Sequence, residues 1–175
     1  IPERRGPSFA RNIGSKEANF ENLVFLDSDI IVPNDCFIKI NGLLDDKSIS
    51  VINCPVSSDM PYKNFFSQYA NIFFRYSILK EAHNMIFTSF CIIKAGCFNK
   101  VGGFAEHVLY PYADDLILGW KLRHNGCKFA FAKNIEVQHY KKMSALKSIL
   151  YWLFHAYYME KYFIAEKKII SKFAM

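Results

Sequence analysis

At 175 residues, with 51% apolar and 22% charged side chains, the chain has material for one packed core and too little polar excess to be disordered. Its net charge of +6 favours anionic partners such as nucleotides or phospholipid headgroups. The Lys and Arg residues form no clustered stripe and no nucleic-acid motif, so nucleic acid is not an expected partner, and no apolar run reaches the roughly 18 to 20 residues a spanning helix needs.

The five cysteines, Cys36, Cys54, Cys91, Cys97 and Cys127, make no CxxC pair and have no His at zinc-finger spacing. Their scatter suits reduced, mostly buried thiols in a cytosolic protein. The chain starts at Ile1 with neither Met nor a signal-peptide pattern, which suggests an upstream segment.

In chain order, Gly6-Pro7 signals a turn, and Ser8 to Ala18 reads as a helix with Ser8 as its cap. Leu23 to Leu26 is an apolar run that reads as a short buried strand ending in Asp27-Ser28-Asp29. Asp35 to Leu44 carries Phe37, Ile38, Ile40, Leu43 and Leu44 on roughly one helical face, and Ser48 to Cys54 alternates weakly as a second strand. Pro55 to Pro61 is a loop, and Tyr62 to Ala82 is a long aromatic helix. Phe87 to Lys94 reads as a strand, Cys97 to Val101 as a helical turn, and Gly102-Gly103 as a tight turn. Asp114 to Asn125 is helical with Gly126 at its C′ position, and Phe129 to Ala132 and Glu136 to His139 are short strand candidates. Alternating strands and helices imply an α/β domain with a mostly parallel central sheet flanked by helices, whose ligands bind beyond the carboxyl ends of the strands.

That edge is where Asp27 and Asp29 fall. Carboxylates there suit hard cations such as Mg²⁺ or Mn²⁺, which keep waters and accept phosphate oxygens, although an isolated Asp-Ser-Asp is also an ordinary acidic turn. Asp114 and Asp115 open a helix, where the dipole alone would favour acids.

Four separated segments decide between these alternatives: Gly6-Pro7-Ser8-Phe9-Ala10-Arg11-Asn12-Ile13-Gly14, Phe25-Leu26-Asp27-Ser28-Asp29, Gly102-Gly103-Phe104, and Asp114-Asp115-Leu116 through Lys121-Leu122 and Gly126. In order and spacing they resemble glycosyltransferase family 2, over nearly the whole chain up to His139. The resemblance implies the GT-A nucleotide-sugar fold, an inverting mechanism and a divalent metal, Mg²⁺ or Mn²⁺. The first half of the usual nucleotide-binding unit, an N-terminal strand and loop, is not seen in this sequence.

By the same resemblance, Asp27 and Asp29 match the DXD motif: Asp29 would ligate the metal on the donor diphosphate, and Asp27 would contact the ribose or a metal-bound water. Asp115 matches the general base and Asp114 its neighbour, which orients the acceptor or raises the pKa of Asp115 by like charge. Arg11 would lie near the donor, against the alternative of a surface Arg. Asn12 and Gly14 would shape the turn and the helix packing. His139 sits where related enzymes carry a metal- or diphosphate-contacting His, against the alternative of a structural His. Phe104, Tyr110 and Tyr112 are candidates to line the acceptor site, with core packing as the rival explanation.

No QxxRW motif follows His139, which favours transfer of single sugars. The expected partners are a nucleotide-diphosphate sugar, UDP-linked in the first instance, and a carbohydrate or lipid-linked acceptor, as in polysaccharide assembly. Residues 1–142 form the catalytic unit and 143–175 a helical tail rich in aromatic residues and flanked by lysines. Such a tail suits either the inner face of the cytoplasmic membrane or packing on the catalytic unit or a second subunit. The alternative of a different class is a catalytically silent GT-A-like scaffold.

Overall fold

The computed structural model describes residues 6–83, 85–106 and 114–157. Its elements run α1 (Gly6–Glu17), β1 (Asn22–Leu26), β2 (Ile30–Ile31), α2 (Cys36–Leu44), β3 (Ile49–Asn53), α3 (Phe65–Glu81), β4 (Phe90–Lys94), α4 (Ala95–Lys100), α5 (Asp114–His124), β5 (Lys128–Phe131) and β6 (Gln138–His139). A further helix, α6, occupies 145–157.

The central sheet has the order β1-β4-β3-β5. β4 runs antiparallel to both neighbours while β3 and β5 are parallel, so β1, β3 and β5 share a direction and β4 is reversed among them. The carboxyl ends of β1, β3 and β5 and the amino end of β4 therefore meet along one edge.

Side chains alternate along the strands and feed two cores. Ile52, Phe90 and Ile92 pack with Ile40 of α2 and Ile78 of α3 on one face. Leu23, Phe25, Val51, Cys91 and Ile93 pack with Phe98 of α4 and Leu118 and Leu122 of α5 on the other. β1 is the exception to the expected burial: it is an edge strand among the described residues, with Val24 44% and Leu26 48% exposed. Its period-2 pattern buries only Leu23 and Phe25, because α2 and α3 fill the other face without reaching over this edge strand.

Local chemistry explains the helix boundaries. Asn64 caps α3 by accepting the Ser67 N–H at 3.1 Å, and α5 stops at Gly126, whose φ of 78° suits glycine. The acids at the start of α5 and Lys121, Arg123 and His124 at its end complement the helix dipole. α1 begins earlier than its cap signal suggests. Ser8 lies inside the helix, buried, and its hydroxyl donates to Asp114 instead of capping.

All five cysteines are free thiols, with Cys97 partly exposed and the others buried. The described part of the tail, residues 143–157, packs against α3. The Met143 N–H donates to Ser67 Oγ at 2.9 Å, and Trp152 meets Phe73 edge-on with ring centres 4.5 Å apart. No helix of the described residues is long and apolar enough to cross a membrane.

Candidate active site

Asp27 follows β1 directly, and its N–H donates to Ser89 O at 3.0 Å, extending the β1–β4 ladder by one residue to the sheet edge. The chain then turns through Ser28 and Asp29, closed by Ile30 N–H to Asp27 O at 3.2 Å. Next comes β2, which pairs antiparallel with β6 so that Ile30 faces His139. The Tyr140 N–H donates to Asp29 O at 2.7 Å, and His139 Nε2 lies 3.3 Å from Asp29 Oδ2. The two-residue strand β2 has no counterpart among the elements read from sequence, being too short to carry a period. It is what brings a residue 110 positions downstream to the acidic turn.

Arg11 joins the two acidic stretches. One guanidinium nitrogen donates to Asp114 Oδ2 at 2.8 Å and another to Asp27 Oδ1 at 3.0 Å. The guanidinium also lies over the Phe104 ring, 5.5 Å from its centre. Phe104 itself is 2% exposed and packs against Phe25 and Phe98. Its ring therefore supports Arg11 from the core and is not among the described residues that line the cleft; the rival packing explanation describes it. Tyr110 and Tyr112 lie outside the described residues.

Asn12 latches the loop that leads to the acids. Its Nδ2 donates to Phe104 O at 2.9 Å and to Glu106 Oε1 at 2.8 Å, and its Oδ1 accepts the Phe104 N–H at 2.9 Å. Gly103 is required beside it. Its φ is 65°, and a Cβ there would sit 2.7 Å from Asn12 Oδ1.

Asp114 is held by Arg11 and Ser8, and Asp115 follows it in the first turn of α5. Burial pushes its carboxyl up to about 7, with the charge of Asp114 adding to the shift, while backbone N–H groups and Arg11 pull the other way. Burial also lowers the pKa of His139 against the attraction of Asp29, so the imidazole is neutral and competent as a ligand at neutral pH. Lys141 is lowered by burial and held up by Asp29 and Asp27. Its ammonium lies 4.7 Å from the Tyr151 ring centre and 5.5 Å from that of Phe74.

These residues share one open cleft of about 730 Å³, lined by Arg11, Asp27, Asp29, Asp114, Asp115, His139 and Lys141 together with Phe74, Phe87 and Ser89. Lys141 belongs to it although the sequence marks it only as one tail lysine among several. Asn53 is also missed. Wholly buried, it donates to Ala82 O at 2.7 Å and Met85 O at 2.8 Å and accepts the Phe87 N–H at 3.2 Å, which fixes the segment carrying Phe87.

Among the described residues no three His, Cys, Asp or Glu side chains converge on one point. The Asp29–His139 pair, with Asp27 close by, nevertheless fits a hard divalent cation that keeps waters and takes its remaining ligands from a phosphate.

Residues 1–151 match the model of the family described as glycosyltransferase-like family 2. The chain belongs to that family. Solved structures agree in fold. A mannosyltransferase from Pyrobaculum calidifontis, PcManGT, in complex with GDP-Man and Mn²⁺, superposes with a TM-score of 0.67 at 18% identity, over 95% of this chain and 45% of that one. GalNAc-T7 with UDP, GalNAc and Mn²⁺ gives a TM-score of 0.60 at 14% identity, over 82% of this chain and 32% of that one. The family 2 chain thus spans less than half the length of either. No curated protein matches it significantly by sequence.

Proposed function

We propose that this family 2 domain transfers a sugar from a nucleotide-diphosphate donor to an acceptor hydroxyl with inversion, Asp115 acting as general base. The observation that carries the proposal is the placement of a partly desolvated carboxylate, Asp115, in the same cleft as Asp27, Asp29, His139 and Lys141. A diphosphate brings negative charge to the side of the cleft where Lys141 and a cation-ready pair stand, and leaves Asp115 facing the incoming nucleophile.

Asp29 and His139, with Asp27 beside them, would hold Mg²⁺ or Mn²⁺. The ion would supply a positive charge that stabilises the leaving diphosphate. The chain's own residues do the rest. Arg11 neutralises Asp27 and Asp114 together, so neither repels the diphosphate at full strength. Asp115 takes the proton of the acceptor hydroxyl as its oxygen bonds to the anomeric carbon and the bond from that carbon to the diphosphate oxygen breaks, the electron pair leaving with the nucleoside diphosphate. Displacement from the face opposite the leaving group inverts the anomeric centre. Raising the carboxyl toward neutrality strengthens it as a base while keeping it ionised in a large fraction at neutral pH.

Of the two structures similar in fold, one carries GDP-Man and Mn²⁺ and the other UDP, GalNAc and Mn²⁺. Titrating the chain calorimetrically with GDP and with UDP, each with and without Mn²⁺, tests the donor half: binding of at least one that strengthens with the metal is expected, and no binding of either overturns it. Proton NMR of the product anomeric centre tests inversion, and retention overturns it.

A further inference from the structure

The cleft does not end at Asp115. Phe74, Phe87 and Asp115 also line a second cavity of about 790 Å³, which runs between α3, α5 and α6. Phe73, Met85, Ile86, Leu116 and Tyr151 supply most of its remaining walls. Beside Asp115 its polar members are Ser77, Glu81 and His155, and the Ser77 hydroxyl is already spent on Phe73 O within its own helix, at 3.0 Å. Most of the lining is rings and aliphatic chains, a wall that an alkyl or isoprenoid chain covers without needing hydrogen bonds.

The rim points the same way. α3 exposes Phe65, Tyr69, Ile72 and Tyr76, and α6 exposes Ile149 and Leu153, between 51% and 71% of each side chain. Phe73 belongs to both the rim and the groove. Exposed apolar side chains on the two helices that flank an apolar groove are what an amphiphile held at a lipid surface would cross.

The wall of the groove formed by α5 is closely packed on its base. A Cβ at Gly119 of α5 would come within 2.9 Å of the Ile86 nitrogen, so α5 is seated directly on the segment that Asn53 pins. Groove wall and base are therefore parts of one rigid unit.

We infer that the acceptor is an amphiphile whose apolar chain lies in the groove between α3, α5 and α6 and presents its hydroxyl to Asp115. This deepens the proposed transfer and rests on it for the role of Asp115. The probe is a dodecyl glycoside with a chain-end diazirine, photolysed below its micellar concentration on the whole 175-residue chain, with labelled peptides mapped by mass spectrometry. Labels are expected on peptides containing 73–87, 115–120 and 151–155. Unmodified dodecyl glycoside should compete at least tenfold better than methyl glycoside, and Ser77→Trp, which fills the groove, should cut labelling about tenfold with the melting temperature retained. Equal competition by the two glycosides on the wild-type chain, or labels spread over other faces, overturns the inference without recourse to any variant. Nucleotide and Mn²⁺ binding is measured in parallel. Binding of nucleotide with no chain-length dependence overturns the acceptor inference alone. Chain-dependent labelling with no nucleotide binding overturns the donor proposal and leaves the groove as a site for an amphiphile.

Discussion

The two sides of Asp115 are built by opposite means. Toward Asp27 and His139 the cleft is cross-linked by charged and polar bonds, with Arg11 spanning two carboxylates and Asp29 paired to His139. Toward α6 it is walled by rings and aliphatic chains, Phe73 and Tyr69 meeting Trp152 edge-on, and much of the apolar surface remains exposed. Directional bonds suit a donor whose phosphates must be placed to fractions of an ångström. Non-directional apolar contact suits a chain that only needs to be held. Asp115 stands at the border and takes its chemistry from both: the apolar side desolvates it, and the charged side supplies Asp114 and Arg11 as opposing influences.

Substitutions that act on one side alone test this division. The largest effect is expected at the border. Asp115→Asn should lower turnover by about 10²- to 10⁴-fold while nucleotide affinity is retained, and near-normal turnover would remove it as the base. In the wild type kcat/KM should rise as pH passes through about 7 and then level off, because the carboxyl must be ionised to accept a proton. The same raised carboxyl binds its proton more tightly folded than unfolded. Its contribution to stability is thus fully present below the ordinary Asp range and is lost as pH rises through about 7. Asp115→Asn should consequently melt above the wild type at pH 8, and the gap should narrow by pH 5 and close only below the ordinary Asp range.

On the charged side, Asp29→Ala should abolish the gain in nucleotide affinity that Mn²⁺ confers, a loss of about tenfold or more by calorimetry. Leu153→Gln should leave that gain intact. Arg11→Gln should move the acid limb of the pH profile to higher pH, since Arg11 is one of the groups that holds the Asp115 carboxyl down. An unmoved limb with retained fold would show that Arg11 does not act on the base. Beneath both sides, Asn53→Leu should cost about 2 kcal/mol in denaturant unfolding, because the carbonyls of Ala82 and Met85 and the Phe87 N–H lose buried partners together. The smallest effect belongs to the apolar rim. Leu153→Gln should change stability by less than about 0.5 kcal/mol, as for other exposed sites.

Much of this was legible in the residues. The spans of α2 and α5 follow from periodicity and a terminal Gly126, whereas the aromatic helix read over Tyr62 to Ala82 starts only at Phe65, after its cap Asn64; the acids Asp27 and Asp115 fall at element ends that any α/β sheet turns toward its ligand. What stayed hidden depended on distant neighbours. Phe104 follows two glycines and has the look of a pocket residue, yet Phe25 and Phe98 enclose it. Lys141 carries a basic side chain in a basic tail, and only the fold sets it between Phe74 and Tyr151 in the cleft with Asp27 and Asp29. Asn53 reads as the polar end of a strand, and its three bonds reach more than 29 positions away except for the first, which spans 29.

By itself the sequence determined the longer helices and strands, the places where acids interrupt apolar runs, and the glycines that the backbone needs at positive φ, because each depends on a residue and its near neighbours; the short strand β2 and the reversal of β4, which makes the sheet mixed and not mostly parallel, depend on distant partners. Tertiary structure alone decided which acids share the Arg11 guanidinium, which carboxyl burial lifts toward neutrality, and that an apolar groove opens behind it. Those properties arise from contacts across 16 to 110 positions, such as Arg11 to Asp27 and Asp29 to His139, and burial and Coulomb energy depend on distance in space rather than along the chain.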